Sequence, residues 1–238
     1  MTLLLASITP VIIFLYLIFR KDRNKEPIGI LSKCFFFGFL SIPLSLLLSI
    51  PLSTFEGTFR NVFIDSFFDA FFLAAIPEEI AKFLILYLIV WKSKHFDEHY
   101  DGIIYAVFVS LGFALIENIV YVFEHGMKTA FFRAILAVPG HGFFGVAMGY
   151  FLSRARFTLK ESERKNLLVL ALAVPILLHG TYDFILMFSG NAAQKFPGLG
   201  ILFIIVFTYF VIYLWKLGLR KIRKSFHHDN QINNSSST

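Results

Sequence analysis

The stretch Ala75-Ile76-Pro77-Glu78-Glu79-Ile80-Ala81-Lys82 sets two adjacent carboxylates and a lysine inside an otherwise apolar run, residues 71–91. A charge at the centre of a bilayer costs about 2.5–3.5 kcal/mol on insertion scales, so a group of them marks a functional site by default. Glu78 and Lys82 stand i,i+4, share a helical face and partly neutralise each other. Glu79 points about 100° away from Glu78 and has no such partner on its own helix. The expectation is therefore that Glu79 moves the proton, while Glu78 and Lys82 form the supporting pair. Pro77 either starts this helix or kinks it.

Three later apolar runs carry further groups of the same kind. Glu117 is followed by Asn118, His141 sits in Pro139-Gly140-His141-Gly142, and His179 and Asp183 stand i,i+4. The carboxylate of Asp183 is placed to hold the tautomer of His179. Hydrolysis of a peptide bond needs an activated water, a stabiliser for the oxyanion and an acid for the leaving amine. There is no Gly-x-Ser-x-Gly and no His-Glu-x-x-His. Paired glutamates can activate water while the N–H groups of His141 and His179 hold the oxyanion. Zinc held by His141, His179 and a carboxylate would use the same residues. The residues leave both mechanisms open.

The elements that must position these groups are membrane helices. The chain has 238 residues, 57% of them apolar and 18% aromatic, with a mean hydropathy of +0.70. Apolar runs at 2–19, 28–52, 71–91, 102–123, 134–152, 167–188 and 201–219 predict an all-α, polytopic transmembrane helical bundle of about seven spans. Residues 61–75 are interfacial or membrane-embedded. The tail 225–238, rich in Asn and Ser, reads as disordered and cytoplasmic. Cys34 is the only cysteine, which excludes a disulfide framework and a thiolate metal cluster.

The net charge of +6 would suggest nucleic acid only if the positions of the basic residues were ignored. Most Lys and Arg fall after spans one, three, five and seven; the other loops hold only Arg60, Lys128, Arg133 and Lys195. The positive-inside rule puts the N-terminus outside and the C-terminus in the cytoplasm. At 1.5 Å per residue, Glu78, Glu79, Glu117, His141, His179 and Asp183 then lie roughly 8–14 Å below the outer boundary. Groups at one depth on four helices imply one shared site. A transporter or proton relay would instead spread polar groups through both leaflets, and a non-catalytic scaffold would tolerate loss of Glu79 or His179. Phe113 is expected to be plain packing; Gly142, Gly145, Gly149 and Gly180 are expected at close helix contacts.

The motifs resemble a known family. Glu78-Glu79-Ile80-Ala81-Lys82 is similar to the E-E-x-x-K signature of PrsW-type intramembrane proteases, relatives of the CAAX prenyl endopeptidases and Abi proteins. Phe113-Ala114-Leu115-Ile116-Glu117 resembles their F-x-x-x-E element, and His141-Gly142-Phe143-Phe144-Gly145 and His179-Gly180-Thr181-Tyr182-Asp183 resemble their two histidine motifs. The resemblance covers residues 76–188. It implies one integral protease domain over 1–224, with a motif-bearing core at about 71–188. It further implies a glutamic-type endopeptidase of the cell membrane, without a required cofactor, whose catalytic residues are Glu78, Glu79, Lys82, Glu117, His141, His179 and Asp183. The implied substrate is a membrane-anchored protein, an anti-sigma factor cut at its outer side being the family's example. The remaining partner is the lipid bilayer.

Overall fold

A computed structural model describes residues 1–195 and 197–235. The described residues are helices joined by connections: α1 (Thr2–Lys21), α2 (Ile28–Ser53), α3 (Val62–Phe68), a π-helical segment (Asp69–Ala75), α4 (Ile76–Val90), α5 (His99–His125), α6 (Met127–Ile135), α7 (Ala137–Phe157), α8 (Glu161–Lys195) and α9 (Pro197–Ser235). Among the described residues, five stretches are long and apolar enough to cross a membrane: α1, α2, α5, α6 taken with α7, and residues 161–190 of α8.

Burial separates the centre of the bundle from its rim. In α5, 72% of the apolar window is buried, and 78% across α6 and α7, against 22% in α1 and 17% in α2. The inner pair is therefore polar-tolerant protein interior, while Ile12, Tyr16, Phe36 and Leu47 of the outer pair are exposed to the lipid side. Small residues bring the inner helices together. A Cβ on Gly149 of α7 would collide with the carbonyl of Gly102 on α5, and one on Gly145 would lie 2.9 Å from Ser110 Oγ. A Cβ on Gly142 would meet the ring of Phe14, and one on Gly180 the ring of Phe71. Gly145 and Gly149 give the backbone approach that small residues allow where lipid supplies no hydrophobic drive, and Gly142 and Gly180 make room for a ring.

Three local features differ from the simple spans. The π-helical segment ends where the Ile76 N–H bonds the Phe71 carbonyl, five residues back, immediately before Pro77, which has no N–H to give. Such insertions gather at functional sites, and here Pro77 starts a helix in its first turn. Second, the connection between α5 and α7 is itself a nine-residue helix, α6, reached through Gly126 at φ 80°. A side chain is strained at that dihedral, and glycine is not. Third, α8 runs on past residue 188, and α9 extends to Ser235, into the segment from 225 that composition assigns to a disordered tail. Asp229 accepts from the N–H groups of His99 and Tyr100, 2.7 and 3.1 Å away, so a distant carboxylate caps the start of α5. Residues 236–238 of that tail lie outside the described residues.

Candidate active site

Four helices bring the seven sequence-selected residues to one place, and α6 adds an eighth. Pro77 sets the start of α4, so Glu78, Glu79 and Lys82 occupy its first two turns. Lys82 Nζ lies 2.8 Å from Glu79 Oε1 and 3.1 Å from Glu78 Oε2. The expectation that Glu79 lacks a partner on its own helix is therefore corrected. Lys82 is i+3 to Glu79 and i+4 to Glu78, and both spacings are neighbours on a helix surface.

From Lys82 the contacts run outward in two directions. Its Nζ also approaches His141 Nδ1 at 3.3 Å and lies 4.0 Å from the centre of the Phe113 ring. Phe113 thus presents its negative face to a buried cation, a contact beyond plain packing. An ammonium only donates, so Nδ1 of His141 accepts and its Nε2 carries the hydrogen. That Nε2 donates to Glu117 Oε2 at 2.8 Å. In the other direction, Glu79 Oε1 meets His179 Nδ1 at 2.9 Å, and His179 Nε2 meets Asp183 Oδ2 at 3.1 Å. Each nitrogen of His179 faces a carboxylate. The trio of Glu79, His179 and Asp183 must share one more proton than a neutral imidazole brings.

Arg133 is the residue that sequence reasoning missed. Its Nη2 donates to Glu117 Oε2 and its Nε to Asn118 Oδ1, both at 2.8 Å, and its guanidinium lies 4.4 Å from the Tyr121 ring centre. Asn118 in turn donates to the Ser7 carbonyl of α1 at 2.8 Å. In the sequence Arg133 is one basic residue in an outer connection, and only its place on a short helix ahead of His141 could have hinted at this role.

These groups form two layers. Glu78, Glu117, Arg133, His141, His179 and Asp183 line a cavity of about 770 Å³ whose remaining wall is largely apolar, including Phe144, Tyr182, Phe207 and Val211. Glu79 and Lys82 lie behind them with no exposed side-chain surface, whereas Glu78 keeps 16% of its own. Phe144 stacks on the His179 ring at 4.8 Å and fixes its plane. The arrangement joins a reachable carboxylate, a proton-sharing imidazole and a guanidinium around one cavity.

Residues 26–215 match the family model described as PrsW family intramembrane metalloprotease. Protease PrsW of Clostridioides difficile is 38% identical over 236 residues, covering 97% of this chain and 94% of that protein. Protease PrsW of Oceanobacillus iheyensis is 36% identical over 226 residues, covering 94% and 96%, and that of Bacillus subtilis 47% over 131 residues, covering 55% of each. No solved structure matches. The family description implies a metal. One donor atom each from Glu78, Glu79, His141 and His179 lies within 4.8 Å of the others. Imidazole and carboxylate are donor types that zinc takes, and Glu79 Oε2 is buried with no hydrogen-bond partner. The donor types present therefore fit such a group, and Lys82 Nζ, which Glu78, Glu79 and His141 already hold, would have to move aside for it. With a family match over most of its length and a relative aligned nearly end to end, the chain belongs to the PrsW family of membrane proteases.

Proposed function

We propose that this protease cuts a membrane-anchored protein within the outer part of its span, and that Glu78 is the carboxylate that activates water. The observation carrying this reading is the two-layer arrangement: Glu78 lines the cavity, while Glu79 is enclosed and held by Lys82 and His179. A water in the cavity gives its proton to Glu78 as its oxygen attacks the scissile carbonyl. Arg133 lines the same wall and supplies positive potential towards the developing oxyanion, while the neutral His141 links Lys82 to Glu117. His179, 4.0 Å from Glu78 Oε2, passes a proton to the leaving amine. Asp183 and Glu79 hold its ring in place. When a metal is bound, His141 and His179 with Glu78 and Glu79 would hold it, and it would polarise the carbonyl and acidify water.

The outer placement follows from the bias of Lys and Arg among the connections. A single-span anti-sigma factor is the substrate candidate that family membership suggests. The test is the purified protein in detergent with such a substrate, wild type beside Glu78→Gln and His179→Ala, with and without chelator. Mass spectrometry of the products should place the cut in the outer third of the substrate span. Cutting in the cytoplasmic half, or full activity in Glu78→Gln, would overturn this reading. Inhibition by chelator that zinc reverses would assign Glu78, Glu79, His141 and His179 as ligands.

A further inference from the structure

A second buried cluster lies at the opposite end of α5. Glu26, Asp97 and Asp101 each bring one carboxylate oxygen to within 4.8 Å of the other two. Glu26 lies in the connection between α1 and α2, Asp97 precedes α5, and Asp101 lies in its first turn. From Asp101 to Glu117 is about 24 Å along the helix at 1.5 Å per residue, so this is not part of the proteolytic centre.

The cluster is made of carboxylates, and its own contacts leave it incompletely satisfied. Asp101 is 1% exposed and Glu26 7%. Asp101 Oδ2 accepts from the N–H groups of Asp97 and Glu98, but its Oδ1 is buried with no hydrogen-bond partner. Asp22, 3% exposed, adjoins the cluster by accepting from the Glu26 N–H, and its Oδ1 is likewise buried and unpartnered. Glu26 takes the Tyr105 hydroxyl. Lys25 directs its ammonium onto the carbonyls of Phe19, Arg20 and Asp22. Two orphaned carboxylate oxygens within a buried acidic group are what a hard cation would satisfy.

We propose that Glu26, Asp97 and Asp101, with Asp22 beside them, bind one hard divalent cation and so clamp the start of α5 to the connection between α1 and α2. Oxygens on opposite sides of a calcium ion, at 2.3–2.6 Å from it, stand about 4.6–5.2 Å apart, and around magnesium about 4.0–4.2 Å. Oxygens grouped this closely can ligate one such ion.

The test is calorimetric titration of Ca²⁺, and separately of Mg²⁺, into full-length protein stripped with chelator and held in an uncharged detergent, which removes lipid phosphates. One Ca²⁺ per chain should bind, and Mg²⁺ should compete for the same site. Binding should persist in His179→Ala, which disables the other donor set. It should weaken by about tenfold or more in Asp97→Asn, an exposed position whose exchange leaves the fold intact, and in Glu26→Gln. Proteolysis by Asp97→Asn without added Ca²⁺ should match the stripped wild type, showing that the variant is folded. No Ca²⁺ uptake by the wild type up to millimolar concentration, or equal uptake by both carboxamide variants, would overturn the proposal. So would loss of binding in His179→Ala with retention in Asp97→Asn.

Discussion

The two buried polar clusters of this protein, both built on α5, are assembled on different principles. In the candidate active site opposite charges alternate, with His141 as a neutral link between Glu117 and Lys82. Arg133 meets Glu117, Glu117 meets His141, His141 meets Lys82, Lys82 meets Glu78 and Glu79, and His179 stands between Glu79 and Asp183. Near the start of α5, Glu26, Asp97 and Asp101 group carboxylate with carboxylate. Buried charge is tolerated when each ion has a counter-ion and its remaining lone pairs are satisfied. The first cluster meets that condition mostly from within. The second leaves the oxygens Asp22 Oδ1 and Asp101 Oδ1 unmet.

Lys82→Met attacks the alternation at its centre, and the largest effect is expected there. It leaves Glu79 buried beside no cation on its own helix, which should cost about 3–5 kcal/mol in mixed-micelle unfolding and abolish cleavage. Adding Glu79→Gln to Lys82→Met should recover most of the stability but none of the activity. A double variant as unstable as the single one would show that charge pairing is not what holds the centre together.

Glu78→Gln and His179→Ala test the chemistry more than the stability. Each should lower turnover by about 10² or more, the scale for losing a general base or acid. The unfolding midpoint of Glu78→Gln should stay close to wild type, because Glu78 keeps contact with the cavity. If Glu79→Gln were inactive while Glu78→Gln turned over normally, the enclosed carboxylate would be the base and the two-layer reading would be wrong.

Arg133 is the outermost member of the series and should show an intermediate effect. Arg133→Gln removes a charge-assisted bond to Glu117, which should lower kcat about tenfold with little change in KM. Arg133→Lys should restore part of the loss, and added guanidinium should rescue Arg133→Ala. A variant recovered by neither would place the role of Arg133 in folding α6. The smallest effect on proteolysis belongs to the other cluster: Asp97→Asn should leave cleavage unchanged in the absence of Ca²⁺ while weakening Ca²⁺ uptake.

Much of the centre was legible because a bilayer makes polar residues conspicuous. Glu78, Glu79, Lys82, Glu117, His141, His179 and Asp183 stand out against apolar runs, and counting at a fixed rise per residue put them at one depth. The close contacts at Gly142, Gly145, Gly149 and Gly180 were legible for a related reason, since small residues in membrane helices mark where a neighbouring backbone or ring comes close. Residues in the connections lack that contrast. Arg133 was counted as a topological charge, and Asp22, Glu26, Asp97 and Asp101 were ordinary loop acids among basic neighbours.

The sequence by itself determined the helical class, the family, and the types, order and common level of the groups around the cavity. Helical periodicity and hydropathy are local quantities that fix the class and the common level, while the family is carried by the four motifs. Only the tertiary structure decided who partners whom. Periodicity places Lys82 within reach of both glutamates, but side-chain packing seats its ammonium among Glu78, Glu79, His141 and the Phe113 ring. The rotation of α4 against α5, α7 and α8 turned Glu78 towards the cavity and enclosed Glu79. The fold of α6 over α5 brought Arg133 to Glu117, and the packing of the α1–α2 connection against α5 gathered the second set of carboxylates. Such contacts join residues tens of positions apart, and the relative rotation and spacing of helices is set by how their surfaces interlock.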